Sequence, residues 1–186
     1  MNWKLITPPS SEPVSAADVR AQARVDSSTE DATTIAMYIT AAREQAEKYQ
    51  GRAIGAQTIE LSLDAFPSFP LKLPMAPLVS LTSVSVTDSE GSATSMSTSD
   101  FVVDTYAEPG RIHMKSAAQW PSVSLQEIGG IKIRYVAGAA ASVSQKLAIL
   151  MVAAYWFENR EAAVEVPKAI EGAFRALLDG DRIVNV

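Results

Sequence analysis

Apolar residues recur at two different periods along the 186-residue chain, and the changes of period divide it into three parts. In the first part Ile35, Ile39, Ala42, Ala46 and Tyr49 fall at alternating spacings of four and three, the stripe of an amphipathic helix. This helix is predicted from about Glu30 to Gln50, with Gly51 as its C-terminal cap. Arg43–Glu47 and Glu44–Lys48 are opposite charges four apart, predicted on the other face. A shorter helix is predicted before it, from about Ala16 to Arg24. Ser15 is its N-cap and Asp18 completes a variant capping box. Asp26-Ser-Ser-Thr should break the chain between the two, because such side chains compete for backbone hydrogen bonds.

The middle part alternates. Ile59, Leu61 and Leu63 share one face of a strand, and Leu81-Thr-Ser-Val-Ser-Val-Thr alternates again before a turn at Asp88-Ser-Glu-Gly91. Pro67, Pro70, Pro74 and Pro77 forbid a helix between these strands. From Ser80 to Thr105, 13 of 26 residues are Ser or Thr, a composition that suits exposed strands and loops. Phe101-Val-Val, Arg111-Ile-His-Met and Gly130-Ile-Lys-Ile-Arg-Tyr-Val are further strands, giving five or six in all. After Gly138 the helical period returns. Leu147 to Phe157 is apolar nearly all round, which predicts burial on more than one side, against the core or against another subunit. Pro167 opens a last helix, with Ile170, Ala173, Phe174, Leu177 and Leu178 as its stripe and Gly180 as its cap. The fold class is therefore α+β. A helical core of about four helices is formed by residues 1–55 and 139–186, with an antiparallel β-subdomain inserted at 56–138.

Composition narrows the function. There is no cysteine and one histidine, His113, so thiol nucleophiles, disulfides, zinc ribbons and multi-histidine metal sites are excluded within one chain. No cofactor is expected. The net charge is −5, and Lys132 and Arg134 are the nearest basic pair, so no linear Lys/Arg cluster marks a dedicated nucleic-acid binder. An acidic surface can still surround DNA without gripping it. The longest apolar run, at eleven residues, is too short for a membrane span, and no targeting segment is expected.

No catalytic constellation stands out. His113 lies in a predicted strand with no Gly-x-Ser-x-Gly nucleophile elbow elsewhere, and reads as a surface or packed histidine. Asp88/Glu90 sit in a turn, Asp100/Asp104 flank an apolar strand, and Glu158/Glu161 bracket Arg160. These read as solvated or ion-paired acids, with a carboxylate-dependent hydrolase as the remote alternative. Gly129-Gly130 precedes a strand rather than a helix, which makes it a turn or bulge and not a phosphate loop. The last residues are more informative. In Arg182, Ile183, Val184, Asn185 and Val186, three of the last four residues are apolar and strand-prone, yet they follow a helix cap. They either pack on the chain's own core or dock on a partner or neighbouring subunit. On the apolar helix, Leu147, Leu150, Met151 and Trp156 are the candidate subunit contacts.

The ordered segments resemble a known family. They are Val14-Ser15 with Ala23-Arg-Val-Asp26, Ala41-Ala-Arg-Glu-Gln-Ala-Glu-Lys-Tyr-Gln-Gly-Arg-Ala53, Gln57-Thr58, Leu63-Asp-Ala-Phe-Pro67, Leu73-Pro-Met-Ala-Pro77 and Ser83-Val-Ser-Val86. Gly110-Arg-Ile112, Trp120-Pro121, Ile133-Arg-Tyr-Val-Ala-Gly138, Tyr155-Trp-Phe-Glu-Asn-Arg-Glu161, Pro167 and Leu177-Leu178 follow. Over about residues 14–180 this order resembles the head–tail connector (adaptor) proteins of long-tailed phages, in the subgroup with a β-insertion described as possibly involved in DNA packaging. The resemblance implies a virion protein made in a bacterial cytoplasm. It implies a homo-oligomeric ring, typically of about twelve copies, under the portal protein. Such a ring extends the DNA channel, carries the next neck or tail component and has no catalytic activity. Genomic DNA would pass through it without sequence-specific contact, and no membrane would be involved. A stopper or terminator of the same particle is the alternative.

Overall fold

In a computed structural model, residues 2–25, 32–159 and 167–183 are described. They form two compact units, one from the described parts of 1–10 and 56–139, the other from those of 11–55 and 140–186. The first is β apart from a 3₁₀ turn at Thr98–Asp100, the second is helical, and the α+β class stands.

The β unit holds β1 (Asn2–Thr7), β2 (Gln57–Leu63), β3 (Leu71–Lys72), β4 (Leu78–Thr87), β5 (Ala93–Met96), β6 (Phe101–Asp104), β7 (Arg111–Met114) and β8 (Ile131–Ala137). One five-stranded antiparallel sheet runs β1-β2-β8-β4-β5, and a three-stranded sheet runs β3-β7-β6. The alternation seen in the sequence sets the register. Ile59, Leu61, Val84, Val86, Ile131, Ile133 and Tyr135 are all buried, and across the strands Leu61 and Val84 both pair with Ile133. Slipping any strand by one residue would turn this set to solvent. In the region of the small sheet Phe69 stacks on Trp120 (6.1 Å) and lies 6.4 Å from Phe101. The Tyr135 hydroxyl donates to the Pro74 carbonyl (2.8 Å), and burial pushes its ionisation far up. Where β7 begins, a Cβ on Gly110 would come within 2.2 Å of the Leu78 Cβ, so only glycine fits there.

Two expectations change here. The insertion carries seven strands, not five or six, because the pairs Leu71–Lys72 and Ala93–Met96 are too short to show a period. Residues 2–7 do not lead into the helical part but pair with β2 as an edge strand of the large sheet. Trp3 and Leu5 alternate with Asn2 and Lys4, yet six residues next to Pro8-Pro9 carry little periodic signal.

The helical unit holds α1 (Ala16–Ala23), α2 (Ala32–Gln50), α3 (Val143–Glu158) and α4 (Lys168–Leu178). The Ser15–Asp18 capping box is present, and hydrogen bonds from Ser15 are the leading cause that holds the Asp18 carboxyl below its ordinary range. A second box, Ser142 with Gln145, opens α3. The proposed break at Asp26-Ser-Ser-Thr and the start at Glu30 lie outside the described residues. Gly51 adopts a left-handed φ of 68°, as expected of a C-terminal cap. Gly180 does not act as one. α4 instead continues into a 3₁₀ turn, Asp179–Asp181. The core is Val19, Ile35, Ile39, Ala42, Ala46, Ile149, Val152, Ala153, Phe157, Phe174 and Leu178, with α2 against α3 as the main helix pair. Among the described residues no helix is long and apolar enough to cross a membrane.

Arg43 and Glu47 depart furthest from their expected outer face. Arg43 is 1% exposed and Glu47 is buried. The Arg43 Nε donates to Glu12 (2.9 Å) and Nη1 to Glu47 (2.7 Å), while Glu47 also accepts the Ile54 N–H (2.7 Å). Glu12 in turn accepts the Thr40 hydroxyl. The segment before α1 thus closes over what the helix pattern alone makes a solvent face. Arg43→Ala would leave Glu47 charged in a buried site. The expected cost is about 3–5 kcal/mol, read as a lower urea midpoint at unchanged slope. A loss under about 1 kcal/mol would mean that the cluster is not holding the unit together.

Candidate assembly surfaces

The apolar helix predicted between Leu147 and Phe157 is real and extends to both sides. Its inner face buries Ala148, Ile149, Val152, Ala153 and Phe157. Its outer face carries Val143, 84% exposed, and Leu147, 42% exposed, with the half-buried Met151 next in the same i, i+4 line. Leu150 and Trp156 pack partly on the core, and Trp156 meets Tyr38 at 6.3 Å. The candidate contact residues therefore split between an outward line and a flanking pair. Val143 was missed, although it lies four residues before Leu147. Met37 of α2, 68% exposed, was missed as well, because it sits outside the helix stripe.

The C-terminal candidates begin as part of the helical unit. The Tyr49 hydroxyl donates to Asp179, and this hydrogen bond is the first cause of the raised Tyr49 ionisation. The Arg182 guanidinium lies over the Tyr49 ring at 4.7 Å, and the Ile183 N–H donates to the Gln50 carbonyl (2.9 Å). Gln50 itself is buried, donates to the Leu178 carbonyl and accepts from Gln145. Arg182 and Ile183 are thus held by their own chain, while Val184, Asn185 and Val186 lie outside the described residues.

Among the remaining candidates Asp88, Asp104 and His113 have local partners. The Asp88 carboxylate accepts the Glu90 and Ser92 amides, an Asx turn. Asp104 accepts Arg111 Nε at 2.8 Å and the Tyr106 and Ala107 amides; the Arg111 hydrogen bond leads the causes that keep its carboxyl low. His113 Nδ1 lies 2.6 Å from the Met114 carbonyl oxygen, with its ring 5.5 Å from Phe69. Glu158 is exposed, and Glu161 lies outside the described residues. Gly129-Gly130 forms a turn, with Gly129 at φ 67°. Among the described residues no group of three His, Asp or Glu side chains is placed to hold a metal ion.

The fold also makes a grouping that no window of sequence contains. Glu60, Lys132 and Arg134 alternate with buried residues of β2 and β8, so they share the large sheet's other face, and Lys4 of β1 pairs with Glu60. The Glu60 carboxylate accepts Arg134 Nη2 (2.6 Å) and Nε (3.1 Å), with Lys4 Nζ at 3.4 Å. Burial alone pushes the Glu60 carboxyl up. The Arg134 hydrogen bond and charge, with Lys4, more than offset this and hold it below its ordinary value.

A family model described as head completion protein matches residues 13–172, and the chain belongs to that family. It is a structural adaptor of a tailed-phage or phage-like neck, joining head to tail. Among solved structures it is similar to a chain in the neck of an empty GTA particle computed with C6 symmetry (TM-score 0.79, 20% identity). It is also similar to chains in the virion of a native gene transfer agent (GTA) particle (0.75, 21%) and in the neck of a native GTA particle computed with C12 symmetry (0.73, 21%). Each match covers 100% of this chain and 97% of the other, and each establishes the fold. No curated protein matches at a significant level.

A lowered Glu60 carboxyl stabilises the fold above the ordinary carboxylate range, and that contribution is lost as pH falls through the folded value. Arg134→Gln should therefore lower stability near pH 7, and its difference from wild type should shrink steadily below about pH 4.5. Urea titrations at several pH values check this. A difference that stays constant down to pH 3 contradicts it.

Proposed function

We propose that the chain works as one subunit of a closed ring, typically of about twelve copies, under the portal protein of a phage, prophage product or gene-transfer particle. The ring extends the DNA channel and presents a platform to the next neck or tail component. It has no catalytic role, and DNA passes through it without sequence-specific contact. The observation that carries the ring is the outward apolar line Val143, Leu147 and Met151 on α3. Scattered apolar residues on a surface need no explanation, but a line of them on a rigid helix fits a lateral contact between copies. Leu150 and Trp156 brace that line from the core side. The six- and twelve-fold neck reconstructions that hold chains of the same fold support this reading.

Val143→Asp combined with Leu147→Asp tests it. Both side chains are exposed, so monomer stability should change by no more than about 0.5 kcal/mol for each, while ring density disappears from the neck in electron micrographs. Normal rings from the double variant would sink the lateral contact, and a single copy per vertex in wild-type necks would sink the ring.

Arg182 to Val186 form the proposed anchor on the portal or on an adjacent subunit. Because Arg182 and Ile183 also serve their own core, the deletion that isolates the anchor is 184–186. Truncation after Ile183 should leave the unfolding midpoint unchanged and abolish attachment, since weak tails repeated round a ring act together. Truncated protein at normal occupancy in necks would remove the tail from this role and make the Trp3–Pro9 segment the next candidate.

A further inference from the structure

We infer that the polar face of the five-stranded sheet, centred on Lys4, Lys132 and Arg134, is a contact surface for the phosphate backbone of double-stranded DNA. Lys4 lies far from the other two in sequence, which is why no basic cluster shows there. In the fold Lys4 pairs across from Glu60, and Glu60 across from Arg134, while Lys132 follows two residues before Arg134 on β8. Three cations face one strand carboxylate, Glu60, with Asp64 just past the end of β2 held by the Gly129 amide, in a chain whose net charge is −5.

Charge complementarity identifies a polyanion, and the rest of the face selects DNA over an acidic protein. The neighbours of Lys132 across the strands are Ser62 and Ser85, and the neighbour of Arg134 on β4 is Ser83. Lys and Ser are depleted from the cores of protein–protein interfaces, where aromatic residues, Met and Arg are enriched. Phosphate oxygens, by contrast, take their hydrogen bonds from Lys, Arg and Ser. Lys132 and Arg134 stand roughly 6.6 Å apart along β8, and Lys4 lies two strand spacings, roughly 10 Å, from Arg134. Over roughly 10 Å of its axis a duplex carries about six charges, so each cation meets a phosphate without any fixed register.

The same geometry makes the contact blind to sequence. Reading guanine takes a free guanidinium fork entering the major groove. Arg134 gives both Nε and Nη2 to Glu60, so it offers charge but no free fork. A broad sheet face does not enter a groove as a helix or two-stranded ribbon does. The contact is therefore a weak electrostatic one, suited to a duplex that moves past.

The test is fluorescence anisotropy of the full chain with two labelled duplexes of unrelated sequence, from about 0.03 to 0.15 M salt. With three phosphate contacts the log–log slope is expected near −2.7, a loss of roughly eighty-fold across that range, equal for both duplexes. Lys132→Gln should lower the slope by about 1 and Lys132→Gln/Arg134→Gln by about 2. Lys48→Gln, on α2, should leave it unchanged. Lys132 has no ion pair among the described contacts, so its single variant reads the contact even if the double variant is less stable. The proposal is overturned by any of four results: no binding at the lowest salt, slopes indifferent to Lys132→Gln, a tenfold preference for one duplex, or tighter binding to poly-glutamate through the same residues. It does not depend on the ring. Lys132→Gln should enter necks at normal occupancy, and its exclusion from them at unchanged stability would assign the face to a protein partner and overturn the proposal.

Discussion

The helical unit depends on a charge that has been taken out of water. The Arg43 guanidinium is closed in between Glu12, which precedes α1, and Glu47, one turn further along its own helix. A buried cation is tolerable only when its donors are satisfied, and each of the two carboxylates has a second duty. Glu12 takes the Thr40 hydroxyl and Glu47 the Ile54 amide. One side chain therefore fixes three stretches at once: the segment before α1, the middle of α2 and the chain leaving α2. One turn beyond Glu47, Gln50 continues the chain of polar contacts to α3 through Gln145 and to the end of α4 through Leu178. Hydrophobic packing of α2 on α3 supplies the bulk attraction in this unit. The polar chain makes the arrangement specific, because a shifted packing would strand several buried groups.

The β unit is governed differently. Its large sheet has one apolar face and one polar face, and strict alternation on β2 and β8 keeps them apart. Such a sheet needs no buried charge to define its register. Glu60 sits at the boundary. It is buried although it belongs to the polar face, because the side chains of Lys4 and Arg134 lie across it.

These two modes explain what could be read from the sequence. Periodic features were legible: α2 and α3, the capping box at Ser15, the turn at Asp88 and the alternating strands all follow from local spacing. Features that rest on long-range pairing were not. Arg43–Glu47 looked like a surface pair because its third member, Glu12, is 31 residues away from Arg43. β1 looked like a lead into helix because its partner strand begins fifty residues later. The cationic sheet face was invisible since a window of sequence cannot place Lys4 beside Glu60. Of the candidate assembly residues, Leu147 and Met151 fell on an outward line as the helix period required. Arg182 and Ile183 had two readings in sequence, packing on their own core or docking elsewhere. In the fold both touch their own chain, at Tyr49 and Gln50.

Those contacts give the end of the chain a mechanical character. Tension applied beyond Ile183 enters the fold at the Ile183–Gln50 hydrogen bond and at the stacked Arg182–Tyr49 pair, both on the last turn of α2. From there the load path runs back along α2, one turn to Glu47 and two to Arg43, into the buried cluster of Glu12, Arg43 and Glu47. α4, whose end is joined to the same turn through Leu178 and Asp179, is braced rather than peeled. A pull beyond Ile183 is therefore borne by α2, which buried charges tie both to the segment before α1 and to the chain that leaves it.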